Sequence, residues 1–175
     1  MTYQLVISAL GEDQPGIVKS VSKYILDCGG NIVESHMSVL GGEFALMVLV
    51  SGETSALQAI ESGLPEVAEA MNLTLICKHT TPQTEKAQGV PYGIEIIAMD
   101  HPGIVHVVTD YLAKQRINVE ELSTDSYAAP HTGTPMFALN VEIAIPAATN
   151  ISEFRKNFTN FCDDLNLDVN FEARK

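Results

Sequence analysis

The 175-residue sequence predicts an α+β chain made of two copies of one unit, each running strand, helix, strand, strand, helix, strand. Three observations carry this. DQPGIV at Asp13 returns as DHPGIV at Asp100, 87 positions on, and the register holds through Val21 and Val108, Tyr24 and Tyr111, Asn31 and Asn118, and Glu34 and Glu121. EFALMVLV from Glu43 is then answered by PMFALNVEI from Pro135, and MNLTL from Met71 by LNLDV from Leu165; the offset widens because the second copy carries the extra stretch YAAPHTGTP. Finally, this period is much longer than the roughly 20 to 50 residues of solenoid repeats. Each copy is therefore a small globular unit, not one rung of an array.

The first copy sets the order of elements. Tyr3 to Leu10, rich in β-formers and bounded by Gly11, reads as a strand. Asp13 then precedes Pro15, which the pattern places at the first helical position; Ile17, Val21, Tyr24 and Ile25 supply the apolar face and Gly29-Gly30 the stop. NIVESHMSVL and EFALMVLVSG flank Gly41-Gly42, as two antiparallel strands flank a tight turn. Leu57, Ile60 and Leu64 give the second helix its face, with Pro65 expected to kink or divide it. NLTLICKHT closes the unit as a strand. The second copy repeats the order, with strands from about Tyr92, Ile117, Met136 and Leu167 and helices from Pro102 and Ser152.

Two right-handed strand-helix-strand crossovers sharing a central hairpin put both helices on one face of a four-stranded antiparallel sheet, the ferredoxin-like sandwich. The expected division is 1–80 for the first unit, 81–91 (TPQTEKAQGVP) for a linker and 92–175 for the second, with the boundary near Gln88. Alternation in the strands is weak, ALMVLV being almost wholly apolar, so both sheet faces are expected to be at least partly buried. Contact between the copies, or a homo-oligomer, would supply that burial.

Net charge is −12 and divides evenly: residues 1–88 hold four Lys/Arg against ten Asp/Glu, and residues 89–175 hold six against twelve. Neither copy offers the basic face that neutralises phosphates, which argues against direct nucleic-acid contact and against anionic membranes. Cys28, Cys77 and Cys162 match neither a disulfide framework nor a zinc pattern, so reduced thiols in a cytoplasmic protein are expected. The N-terminus lacks a signal peptide's features, and no apolar run reaches the roughly 18 residues of a spanning helix. His36, His79, His101, His106 and His131 show no metal-ligand spacing, no nucleophile elbow or phosphate loop is present, and the paired acids Glu120-Glu121 and Asp163-Asp164 point apart. No cofactor, metal or enzymatic activity is expected.

The repeated motif carries what chemistry there is. Gly16 lets a ligand approach the backbone, and the free amides and positive dipole end of the following helix make a seat for a carboxylate. Asp13 can answer an ammonium group. Asn31 opens the next strand and is expected to return close to the same helix end, where its amide could both donate and accept. Asp13, Gly16, Ile17 and Asn31 together would suit a small amino acid, and Asp100, Gly103, Ile104 and Asn118 repeat the set. A plainer reading stands beside this one: Asp caps helices and Asn tolerates turns.

With this order of elements and the D-x-P-G-I-V … N-I pattern, the chain resembles the ACT-domain family of small-molecule-sensing regulatory modules, over both copies. The resemblance implies ligands at the turn after the first strand and at the start of the second, often between paired domains. It transfers to Asp13, Gln14, Pro15, Gly16, Ile17, Asn31 and Ile32, and to Asp100, His101, Pro102, Gly103, Ile104, Asn118 and Val119. It further implies an amino-acid-responsive transcriptional regulator, glycine being the favoured ligand, that acts on a transcriptional activator protein without touching DNA. The alternative is a ligand-blind interaction or dimerisation module. The copies diverge where Gln14 becomes His101 and Gly30 becomes Ile117, and the enlarged YAAPHTGTP hairpin is a candidate partner contact.

Overall fold

The computed structural model describes residues 3–81 and 89–174. The chain divides into two compact units, Met1–Thr84 and Glu85–Lys175; the expected boundary near Gln88, and residues 82–88 of the expected linker, lie outside the described residues.

The first unit consists of β1 (Tyr3–Glu12), α1 (Ile17–Asp27), β2 (Asn31–Leu40), β3 (Glu43–Gly52), α2 (Thr54–Glu69) and β4 (Thr74–Thr80). Its sheet is antiparallel throughout, in the order β2-β3-β1-β4. The second unit repeats this as β5 (Gly89–Met99), α3 (Ile104–Lys114), β6 (Asn118–Ala128), β7 (Pro135–Pro146), α4 (Ile151–Asp164) and β8 (Asp168–Ala173), in the order β6-β7-β5-β8. Both are the βαββαβ sandwich that the sequence predicts. Gly89, Val90 and Pro91, expected in the linker, belong to β5, where Gly89 pairs with Pro146. Only a glycine fits there, because a Cβ would meet the Ala144 and Ile145 backbone at 2.9 Å.

Alternation builds each core from one sheet face. In β1 the side chains of Leu5, Ile7 and Ala9 are buried against Ile17, Val21 and Ile25 of α1 and Leu57, Ile60 and Leu64 of α2. In β5, Ile94, Ile96 and Ala98 do the same against α3 and α4. The first core is aliphatic apart from Phe44. The second is aromatic: Phe158 is fully buried, with Tyr111 edge-on at 5.3 Å and Phe154 stacked at 5.8 Å. The first unit uses its matching tyrosine differently, since Tyr24 lies so close over α2 that a Cβ on Gly63 would run into its hydroxyl.

One expectation is corrected. Pro65 neither divides nor interrupts α2, which runs unbroken from Thr54 to Glu69. One N–H is missing, but Leu57, Ile60, Leu64 and Ala68 bury one continuous face across the proline, and packing of an amphipathic face supplies most helix stability. In a single chain the sheet face turned away from the helices is only partly covered: Val6, Leu49 and Ile97 are half-buried, Met47, Ile76 and Met99 are 55%, 66% and 66% exposed, and β2 is exposed along its whole length. The apolar run ALMVLV reflects large side chains on both faces of β3, of which the helices cover one. Among the described residues no helix is long and apolar enough to cross a membrane.

Phe158→Ala should destabilise the protein by about 3–5 kcal/mol, the usual cost of truncating a buried phenylalanine, as measured by urea denaturation. Burial, with the Asp163 carboxylate adding to it, pushes the Cys162 thiol up to about 12. Native protein at pH 8 should therefore leave Cys162 unalkylated by iodoacetamide, and guanidinium unfolding should expose it, as mass spectrometry would show. Between the ordinary thiol value of about 8.5 and about 12, the unfolded chain loses a proton that the fold retains, so this group lowers stability as pH rises.

Candidate ligand site at the strand-helix turns

In each unit the turn from the first strand into the first helix has open space beside its glycine. After β1 the chain leaves the sheet at Asp13, whose N–H donates to the Gly42 carbonyl at 3.0 Å and ties the turn to the β2–β3 hairpin. Pro15 lies in the turn ahead of α1 and not in its first position, as does Pro102 ahead of α3. The N-cap is Gly16, with φ 100° and ψ −3°, and Gly103 repeats it at φ 102° and ψ −8°. That left-handed backbone is one that glycine adopts freely. A Cβ on either glycine would meet nothing within 4 Å, as is also true of the hairpin glycines Gly41, Gly42 and Gly133.

The turns leave amides unspent. Ser20 N–H donates to Gly16 O at 2.9 Å and Val107 N–H to Gly103 O at 3.0 Å, closing the first helical rings. The N–H groups of the three preceding residues in each helix have no acceptor within it, and no side chain caps either helix. Asp13 and Asp100 therefore do not act as caps. By contrast, α4 has an ordinary cap, Glu153 N–H donating to Asn150 Oδ1 at 3.2 Å. Free donors favour a carboxylate, whereas the negative charge of an aspartate three residues before each glycine disfavours a bare anion and favours an ammonium group. A zwitterion satisfies both.

The fold does not bring all the expected residues together. Ile17 and Ile104 are core residues, 1% and 2% exposed, so only their backbone N–H groups face the turn. Asn31 lies across from Ser51, whereas the turn follows Glu12, which lies across from Glu43. Eight residues of β3 separate those rows, about 26 Å at the usual strand rise. Asn118, across from Ala144, is at the same remove from Asp100, whose N–H bonds to Pro135 O at 3.0 Å. The expectation that each Asn returns to its own helix end is thus corrected. The helix runs the length of the sheet before β2 or β6 begins, and delivers the Asn to the far end.

Beyond Ile32 and Val119 the register of β2 and β6 shifts at a bulge, between Ile32 and Glu34 and between Val119 and Glu121. No residue type in the sequence signals those bulges. Also missed was the anchoring of the first turn. The Gln14 side-chain amide donates to Met71 O at 2.8 Å, and Gly11 packs so closely on the α2–β4 turn that a Cβ would meet Asn72 O at 2.6 Å. In the second unit His101 makes only a local contact, to Pro102 O at 3.2 Å, and Ala98 stands where Gly11 does. The first turn is therefore clamped from two sides, the second mainly from the hairpin.

Elsewhere, a groove of about 280 Å³ is lined by Glu95, Ile97, Thr159, Asp163, Asp168, Val169 and Asn170, away from both motifs. Among the described residues no three His, Cys, Asp or Glu side chains are grouped to hold a metal ion.

Known proteins resemble this chain in sequence and in fold. Residues 3–78 match the ACT domain model. The chain is 28% identical over 164 residues to the glycine cleavage system transcriptional repressor of Escherichia coli strain K12, covering 94% of this chain and 86% of that protein. A crystal structure of a protein of unknown function from Galdieria sulphuraria superposes with a TM-score of 0.81 at 27% identity, covering both chains fully. A crystal structure described as a candidate glycine cleavage system transcriptional repressor superposes with a TM-score of 0.77 at 24% identity, over 100% of this chain and 99% of that one, a likeness of fold.

Gly16→Ala should cost about 1–2 kcal/mol, the price of a Cβ in left-handed backbone, with no packing penalty because the space around it is empty. Thermal melting would detect this as a few degrees; an unchanged melting temperature would show that the turn does not hold the positive φ.

Proposed function

We propose that this chain, whose residues 3–78 match the ACT domain model and whose second unit repeats the first unit's topology, is an amino-acid-responsive transcriptional regulator. It acts in the cytoplasm on a transcriptional activator protein and not by touching DNA, and glycine is its favoured ligand. The observation that carries this reading is the pair of uncapped first turns at Gly16 and Gly103, each beside an aspartate. Likeness to the Escherichia coli repressor over nearly the whole chain supports the regulatory role. Net charge of −12 supports a protein partner over a nucleic acid.

Asn31 enters this site from a second copy of the chain. If two β2 edges pair antiparallel, the start of one strand lies beside the end of the other. The end of β2 adjoins the hairpin to which Asp13 is bonded. The Asn31 amide of one copy then reaches the Asp13–Gly16 turn of its partner, a distance that no rearrangement within one unit closes. The exposure of β2 along its whole length leaves that edge free for pairing. Gln14, Pro15 and Ile32 frame the turn and the strand start, as His101, Pro102 and Val119 do around Asp100 and Asn118.

Reading the chain as a ligand-blind interaction module also has an observation in its favour: nothing packs beside Gly16 or Gly103 in either turn. Calorimetric titration separates the two. Glycine should bind saturably, serine and alanine more weakly, and Asn31→Ala should remove the heat of the first site and Asn118→Ala that of the second. Folded protein that gives no heat with any small amino acid would overturn the sensor reading in favour of the interaction module.

A further inference from the structure

The outer faces of the two sheets, those turned away from the helices, have diverged more than the motifs have. Partners in register share a face, so the first sheet presents the rows Ser38-Ala45-Leu10-Thr74, His36-Met47-Ser8-Ile76 and Glu34-Leu49-Val6-Lys78. Its centre is apolar, and Leu10, Met47 and Ile76 are 53%, 55% and 66% exposed. The row of the second sheet that answers Glu34-Leu49-Val6-Lys78 is Glu121-Glu142-Gly93-Glu172. Glu95, Asp125 and Asp168 share that face, and such a set of carboxylates cannot be buried against its own copy without unpaired charge.

We propose that the outer face of the first unit's sheet docks onto the same face of a second copy. The two-fold axis lies in the interface, parallel to the strands. That operator is fixed by charge. It lays the β2 edge of one copy over the β4 edge of the other, so Glu34 meets the partner's Lys78 at both ends of the row while Met47, Leu49, Val6 and Ile76 close the middle. An axis perpendicular to the strands would set Glu34 over Glu34 and Lys78 over Lys78. The contact is isologous and closes on itself, and aligned stacking is an ordinary way for two sheets to pack. It is separate from edge pairing along β2, which uses backbone groups and leaves this face open.

Analytical ultracentrifugation of the full chain tests it. Met47→Glu should halve the assembled mass with an unchanged circular dichroism spectrum, whereas Asn140→Glu, at the matching outer position of the second unit, should leave the mass as it is. Lys78→Glu should raise the dissociation constant about tenfold, since two symmetry-related ion pairs become repulsive. Adding Glu34→Lys should restore it. A monomeric native chain, an assembly whose mass Met47→Glu does not change, or a double exchange that fails to rescue would each overturn the proposal. Edge pairing alone would survive Met47→Glu at full mass, so loss of glycine binding and loss of the face contact are read independently.

Discussion

Each unit is held by the burial of one face of a four-stranded sheet beneath two helices, and its other features follow from how one-sided that burial is. A unit of this size buries a modest share of its surface, and here the share is concentrated: Leu5, Ile7, Val50, Ile60 and Leu64 are fully buried. The helices must span the sheet to cover it. This separates the motif turn from the strand that follows the helix. The other face and the β2 edge are left to whatever the molecule meets.

The sequence disclosed the duplication, the order of elements and the helix-facing residues, because apolar spacing and glycine punctuation are local and the second copy repeats them. Pro65 misled for the opposite reason: a local helix breaker was outvoted by four buried side chains from turns on either side of it. The placing of Asn31 beside Asp13 failed on topology. In sequence the two flank one helix, but that helix runs back along the sheet, so residues at its two ends are as far apart as the unit allows. The hydrogen bond from Gln14 to Met71 and the bulges after Ile32 and Val119 depend on pairings between distant segments, which one chain's spacing does not encode.

Duplication has left two frames with unequal contents. The aliphatic first core, with Tyr24 over Gly63, and the aromatic second, with Tyr111 against Phe158 and Phe161, fill the same architecture by different side chains, as cores of conserved volume and pattern permit. The turns differ in a parallel way: Gln14 reaches across to a distant carbonyl, whereas His101 turns on its own neighbour. What stayed the same is backbone: two left-handed glycines within a few degrees of each other, and two uncapped helix starts.

One shared bond explains how the second copy could change so much without losing its turn. Asp13 donates its N–H to the carbonyl of Gly42, and Asp100 donates to that of Pro135. A carbonyl is offered by every residue, so this fastening is indifferent to what the hairpin is made of, and glycine and proline serve equally. Everything distal to it, Ala129 to Thr134 in the second unit, is outside the fastening, so its length and composition do not act on the turn below. The bond acts as a firewall between a hairpin tip of any composition and a turn whose backbone geometry is held.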